Sequence, residues 1–318
     1  MTNFCSIDDV DDPVGWIQSA VELKKKIEQD GPFTKSGKSV CLLFFNPSLR
    51  TRLSMQKASF NLGIESFIFN LNTEGWQLEF GDGVVMNGNT SEHIIEAAGV
   101  MSSYFDAIGI RAFASLSNKQ EDYQEKILSQ FVKHCSVPVI NMESATSHPL
   151  QSFADMITIE EYKKVDKPRV VLSWAPHPKA LPQAVANSFL NWSNRMDYDL
   201  VLTHPKGYEL DPGIVGNATV EYDQNKAFDG ADFIYTKNWS AFNDESYGQV
   251  VSQDPTWTIT PEKMALTNAA KFMHCLPIRR NVIATDGVLD HESSIVIAQA
   301  NHRITSAQAV LQKLLNVK

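Results

Sequence analysis

Cysteine is scarce in this 318-residue chain: Cys5, Cys41, Cys135 and Cys275 stand far apart, with no pair at metal-ligand or redox-motif spacing. A reducing interior with free thiols suits them better than a disulfide framework. No apolar run is long enough to span a membrane, and the acidic, polar N-terminus carries no signal-peptide core, so a cytoplasmic protein without a membrane partner is expected. Positive charge is also short. A formal net charge of −9 with no basic run argues against non-specific binding of nucleic acid or anionic lipid, which both need an excess of Lys and Arg. The histidines are scattered, with no H-x-x-x-H and no C-x-x-C, so no metal is expected. No G-x-G-x-x-G follows a strand, which removes the support for a dinucleotide. Gly31-Pro32-Phe33-Thr34-Lys35-Ser36-Gly37-Lys38-Ser39 has one spacer residue too many for a nucleotide P-loop and precedes a strand instead of following one. No cofactor is expected.

What the chain does have is 43% hydrophobic residues over a length sufficient for two cores. Short apolar strands alternate with helical stretches, the pattern of parallel sheets covered on both faces. The expected strands are 39–45, 65–69, 107–110 and 137–141 in the first half, then 169–174, 199–203, 220–222, 233–236, 271–274 and 294–298. Helices are expected over 51–62, 91–102, 125–134, 182–194, 261–266 and 306–315, the last packing back on the first domain. The expected fold is α/β, with two doubly wound parallel-sheet domains divided near His148: residues 1–147 with a C-terminal helix at about 300–318, and residues 148–299.

The most informative segment is Phe44-Phe45-Asn46-Pro47-Ser48-Leu49-Arg50-Thr51-Arg52. A buried strand runs into a turn that carries two hydroxyls and two guanidiniums, and a helical pattern follows. Unpaired N–H groups at the helix start, the Ser48 and Thr51 hydroxyls and the Arg50 fork can surround a phosphate with donors. Other polar groups fall at strand ends, where open α/β sheets bind ligands. Arg111 follows one strand, Glu143 and His148-Pro149-Leu150-Gln151 follow another, and His274-Cys275-Leu276-Pro277 leads to Arg279 and Arg280. Taken singly, each has a structural alternative: Arg111 pairing with a carboxylate, His148 capping a helix, His274 and Cys275 packing at a strand end.

In order along the chain, P-S-L-R-T-R, Arg111, H-P-L-Q and H-C-L-P with its arginine pair resemble the aspartate/ornithine carbamoyltransferases over essentially the whole sequence. The resemblance implies one domain for carbamoyl phosphate, one for an amino-acid acceptor, and a homotrimer with shared sites. It implies that Ser48, Leu49, Arg50 and Thr51 hold the phosphate with Arg303, that Arg111 and His148 donate to the carbonyl oxygen, and that Gln151, Cys275 and Leu276 complete the carbamoyl pocket. Arg111, His148 and Cys275 are the implied catalytic residues. Trp76 is implied to wall the site from a neighbouring subunit.

The acceptor turns on a local departure. Ornithine carbamoyltransferases carry Asp-x-Trp where this chain has Lys237-Asn238-Trp239. A lysine there repels the α-ammonium of free ornithine, whereas an acylated α-nitrogen has no charge to repel. With Glu143 in Asn-Met-Glu, the chain resembles the N-acylornithine branches, which implies an acceptor site lined by Glu143, His177, Asn187, Lys237 and Arg279. The acetyl branch carries a glutamate at the place of Ser91, and the succinyl branch lacks that acid; Ser91 therefore favours N-succinyl-L-ornithine, with N-acetyl-L-ornithine the alternative. Glu92 stands next to it, and a one-residue shift would restore an acid. A carbamoyl phosphate sensor without turnover is the reading outside enzymes.

Overall fold

The computed structural model describes residues 2–317, so Met1 and Lys318, the outer limits of the expected domains, lie outside the described residues. The chain up to Ser115, Gln120–Leu150 and the chain from Arg303 on form one compact unit; Leu116–Lys119 and Gln151–His302 form a second. Each is an α/β layer structure with its own parallel sheet.

In the first unit the sheet runs β2-β1-β5-β6, with β1 Ser39–Phe44, β2 Glu65–Asn70, β5 Ala107–Arg111 and β6 Val139–Glu143. Every pair is parallel, and Cys41 lies opposite Phe67 on one side and Ile108 on the other. Strands β1, β5 and β6 are buried along almost their whole length, as expected where both faces are covered, whereas the edge strand β2 alternates exposed and half-buried residues; the core joins Cys41, Leu43, Ile108, Ile110 and Val139 to Ile94 and Phe131 from helices. Between β2 and β5 come a two-residue parallel pair, β3 Leu78–Glu79 and β4 Glu92–His93, and then helix α3, Ile94–Tyr104. The expected helix from 91 therefore starts three residues later. The strand expected at 137–141 is displaced to 139–143, which places Glu143 on its last residue instead of in the following loop.

Helix α1, Pro13–Asp30, was not expected. Asp12 caps it by accepting from the Gly15 N–H, Pro13 opens it, and Trp16, Ile17, Ala20, Leu23 and Ile27 form its buried face. Helix α2, Leu49–Asn61, follows β1, and α4, Lys126–His134, precedes β6. Helix α5, Pro149–Tyr162, begins in this unit and continues into the second.

The second sheet runs β11-β10-β7-β8-β9, again parallel: β7 Arg169–Trp174, β8 Asp199–Thr203, β9 Thr219–Glu221, β10 Phe233–Lys237 and β11 Lys271–Met273. Val171, Val201, Ile234, Phe272 and Phe228 form its core. Helix α6, Ala184–Ser193, follows β7. The strand expected at 294–298 is not one: Ser294 makes a single bridge to Phe272, and the chain is helical from Val296 to Leu315 as α7. A β-branched run, Ile295-Val296-Ile297, opens a helix whose later turns are buried, so packing overrides the local preference. From Arg303 on, α7 belongs to the first unit, where Ser306 Oγ donates to the Leu150 carbonyl at 2.9 Å and Lys313 sits over the Trp16 ring at 4.0 Å.

Candidate active site

Because β1, β5 and β6 are adjacent and parallel, their C-terminal ends share one edge. Register puts Phe44 opposite Arg111 and Arg111 opposite Glu143, so the residues that follow β1 are brought beside both. Ser48 N-caps α2, its hydroxyl accepting from the Thr51 N–H at 3.3 Å. Thr51 is buried, and its Oγ1 accepts from an Arg303 terminal nitrogen at 2.7 Å. Leu49 is exposed at the helix start and Arg50 half-buried behind it.

Arg111 organises this edge. One terminal nitrogen donates to the Asn46 and Pro47 carbonyls at 3.0 and 2.9 Å, which fixes the turn before Ser48, and the other donates to Glu143 Oε2 at 2.9 Å. The structural alternative for Arg111, a carboxylate partner, is therefore present together with its place in the anion loop. Its Nε is buried and has no hydrogen-bond partner among the described residues, a donor left for a ligand. Burial is the main force pulling the Arg111 pKa down, with the nearby Arg50 charge acting the same way and Glu143 opposing both. A guanidinium remains charged regardless. The same Glu143 oxygen lies 3.5 Å from His148 Nε2, so one carboxylate spans the two groups assigned to a carbonyl oxygen.

One residue that holds this loop was not singled out by its sequence. Glu125, just before α4, accepts from Ser144 Oγ, Ala145 N, Thr146 N and Thr146 Oγ1 at 2.6, 3.2, 2.8 and 2.6 Å. It ties down the segment between Glu143 and His148. Only a contact across about twenty residues of chain could have revealed it, and no local pattern signals that.

Trp76 and Ser91 belong to a different part of the unit, around β3 and β4. Trp76 is 59% exposed, and its indole N–H donates to Glu92 Oε2 at 2.7 Å. Ser91 is exposed and its backbone N–H donates to the Gln77 carbonyl.

In the second unit, β11, β10 and β7 are neighbours, and their C-terminal ends likewise share an edge. Lys237 ends β10 opposite Trp174, His177 follows β7, and Cys275 and Leu276 follow β11. Cys275 is buried; Leu276 has a φ of 55°, and its N–H donates to His274 Nδ1 at 2.8 Å. Arg279 Nε donates to His177 Nε2 at 3.0 Å, and His177 Nδ1 lies 2.8 Å from the Lys179 carbonyl. The Arg279 bond needs a lone pair on Nε2, which in the neutral ring leaves the proton on Nδ1 facing the Lys179 carbonyl; the Lys179 N–H lies 3.1 Å from the same Nδ1. Burial first, then the charges of Lys237, Arg279 and Lys179, hold the His177 pKa below the ordinary 6.5, while the bond to the Lys179 carbonyl opposes them. His177 and Arg279 line a cavity of about 580 Å³ with Pro176, Thr258 and Val282. Asn187 is buried within α6, and Gln151 in the first turn of α5.

One unit thus carries a cationic, donor-rich cradle at a helix start, and the other a cationic cluster around a neutral imidazole. The carbamoyl-P binding domain of the aspartate/ornithine carbamoyltransferases matches residues 3–161, and their Asp/Orn binding domain matches residues 182–314. The chain belongs to the aspartate/ornithine carbamoyltransferase family. It is 52% identical over 315 residues to the N-succinylornithine carbamoyltransferase of Bacteroides fragilis (strain 638R), covering 99% of each chain. It is 39% identical over 297 residues to the N-acetylornithine carbamoyltransferase of Xanthomonas axonopodis pv. citri (strain 306), covering 87% of this chain and 86% of the other. Among solved structures, it aligns with a glutamate-to-serine variant of N-acetyl-L-ornithine transcarbamylase complexed with carbamyl phosphate and N-succinyl-L-norvaline, with a TM-score of 0.90, 34% identity, and coverage of 99% of this chain and 100% of that one.

Proposed function

We propose that this protein transfers the carbamoyl group of carbamoyl phosphate to the side-chain amine of N-succinyl-L-ornithine, giving N-succinyl-L-citrulline and phosphate, a step of arginine biosynthesis. The observation that carries the acceptor is the cluster of Lys237, Arg279 and Lys179 about a His177 kept neutral. Such a cluster suits an acceptor that brings two carboxylates and no α-ammonium. The 52% identity to an N-succinylornithine carbamoyltransferase supports the same reading, as does the complex of the serine variant of N-acetyl-L-ornithine transcarbamylase with N-succinyl-L-norvaline. Ser91 is assigned the place of that exchanged glutamate.

The first unit, broadly 1–147 with the C-terminal helix, is assigned to carbamoyl phosphate, and the second, 148–299, to the acylornithine. Ser48, Leu49, Arg50, Thr51 and Arg303 hold the phosphate. Arg111 and His148 donate to the carbonyl oxygen as the attacking amine places charge on it; removing one such donor costs roughly 2.7–4 kcal/mol of transition-state stabilisation. Gln151 and the backbone at Cys275 and Leu276 hold the carbamoyl NH2. Because the Leu276 N–H is already engaged by His274, the carbonyl groups there serve as acceptors. The bond from the amine nitrogen to the carbamoyl carbon forms, the bond from that carbon to the phosphate oxygen breaks, and the departing phosphate takes the amine proton. Glu143, His177, Asn187, Lys237 and Arg279 line the acylornithine site.

A homotrimer in the cytoplasm completes the proposal. Trp76 at 59% exposure and Phe67 and Phe69 on the edge strand β2 support a subunit contact there, and the four free thiols suit a reducing compartment. Among the described residues no helix is long and apolar enough to cross a membrane. Light scattering of the purified chain tests the trimer.

Turnover of N-succinyl-, N-acetyl- and free ornithine with carbamoyl phosphate tests the rest. N-succinylornithine is expected to be fastest. Faster N-acetylornithine overturns the assignment of Ser91, and activity on free ornithine overturns that of Lys237. Binding of carbamoyl phosphate with no N-acylcitrulline from either substrate makes the protein a sensor.

A further inference from the structure

Gln151 is 1% exposed, and its two amide atoms have different fates. Its Nε2 donates to Asp155 Oδ1 at 2.7 Å, one turn along α5, whereas its Oε1 is buried with no hydrogen-bond partner among the described residues. Asp155 is wholly buried, and the same Oδ1 also accepts from Gln299 Nε2 at 2.7 Å. Gln299 in turn presents its Oε1 to the His274 N–H at 2.8 Å.

An ionised carboxylate only accepts, while a glutamine amide can donate at one end and accept at the other. Two glutamines that meet on one carboxylate oxygen must both turn their NH2 groups toward it. Their carbonyl oxygens then point the other way. For Gln299 that oxygen meets the backbone of the His274-Cys275-Leu276 segment; for Gln151 it is the buried acceptor still without a donor. A buried acceptor without a donor is costly, and a carbamoyl NH2 is the group of carbamoyl phosphate that relieves it.

We propose that Asp155 is a positioning residue that fixes the amide orientation of Gln151 and Gln299 together, so that Gln151 Oε1 accepts from the carbamoyl NH2 while Gln299 holds the strand end that carries Cys275. The inference rests on carbamoyl phosphate as substrate. It assigns discrimination between an NH2 and a methyl group on the acyl phosphate to a carboxylate that touches neither.

Acetyl phosphate, which has a methyl in place of the NH2, is the probe. Its inhibition constant against carbamoyl phosphate, divided by the KM of carbamoyl phosphate, reads the preference directly. Asp155→Ala releases both glutamines, and the preference is expected to fall roughly five- to tenfold, the worth of about one hydrogen bond. Gln151→Met is expected to lower it equally. Because Asp155 acts through Gln151, adding Asp155→Ala to Gln151→Met is expected to leave the preference within about twofold of the single variant. A purely structural role would weaken both acyl phosphates alike and leave the ratio unmoved, which would overturn the proposal. Should Asp155→Ala not fold, Asp155→Asn supplies the second arm. Its Oδ1 accepts from both glutamines as before, so the preference is expected to stay within about twofold of the parent, and a collapse there would overturn the role of the shared acceptor. A parent protein that makes no N-acylcitrulline defeats the functional reading; an active parent whose preference survives Asp155→Ala defeats this proposal alone.

Discussion

Removing the Glu125 carboxylate separates the loop that carries His148 from the rest of the site. Three of its four hydrogen bonds end on Oε1, from Ser144 Oγ, Thr146 N and Thr146 Oγ1, and one ends on Oε2, from Ala145 N. A bond to a charged acceptor contributes about 1.5–3 kcal/mol, but Glu125 is half-exposed and water can replace part of the set. Counting only the two backbone donors at the lower limit, Glu125→Ala loosens Ser144–Ser147 by about 3 kcal/mol. Glu125→Gln keeps the Oε1 set as neutral bonds and turns an NH2 toward the Ala145 N–H, so it costs about half as much. Both variants keep the left-handed backbone of residue 125, at φ 49°, so that cost cancels.

His148 lies two residues beyond Thr146, and misplacing an oxyanion donor has a ceiling of about 10²–10³ in rate. We expect Glu125→Ala to lower kcat/KM for carbamoyl phosphate about 10- to 100-fold and Glu125→Gln roughly 3- to 10-fold, within that ceiling. Hydrogen exchange at the Ala145 and Thr146 amides should accelerate in the same order. Unchanged protection of those amides together with a kcat/KM within about twofold of the parent would refute the reasoning.

Three further outcomes follow from other contacts. Thr51→Val removes the oxygen that Arg303 donates to at 2.7 Å, so the KM for carbamoyl phosphate should rise about tenfold, and isothermal titration with inorganic phosphate should show weaker binding. Because the His177 pKa is held below 6.5, the unfolded chain binds more protons in the window just under that value; stability at this site is therefore present above 6.5 and falls as the pH drops through the folded value. Acid titration of the N-acylornithine KM should show that limb, and His177→Asn should flatten it. Burial pushes Cys5 and Cys41 up to about 12 and Cys135 up to about 11, so iodoacetamide at pH 8 should leave all three unmodified by mass spectrometry.

The two sheets were legible because buried parallel strands read as short apolar runs, and the residues of the site follow those strands. In helix α1 the charged stretch Glu22-Leu23-Lys24-Lys25-Lys26 interrupts the apolar pattern and masks the helix. Its buried face, Trp16, Ile17, Ala20, Leu23 and Ile27, is nevertheless at helical spacing, and the Asp12-Pro13 opening is a cap signal. The segment 294–298 misled in the opposite sense, since Ile295-Val296-Ile297 carries strand preference into a helix start. Of the site, the residues at strand ends could be placed from sequence. Glu125, Asp155 and Gln299 could not, because each acts on a residue brought near only by the fold, as Gln299 does on Asp155 across 144 positions.

The short parallel pair of β3 and β4 has a consequence for how this branch can change its substrate. Leu78 faces Glu92 and Glu79 faces His93, and Trp76 holds the Glu92 carboxylate. With Ser91 proposed to meet the acyl tail, the residue presented there is decided by where the loop from Phe80 to Thr90 delivers the chain into that pair. A side-chain period of two means that a slip by one residue reverses every face. With Ser91 at the acyl tail as proposed, loop length joins the residues that set the substrate: one residue lost between Phe80 and Thr90 brings Glu92 to the place of Ser91 without a single substitution.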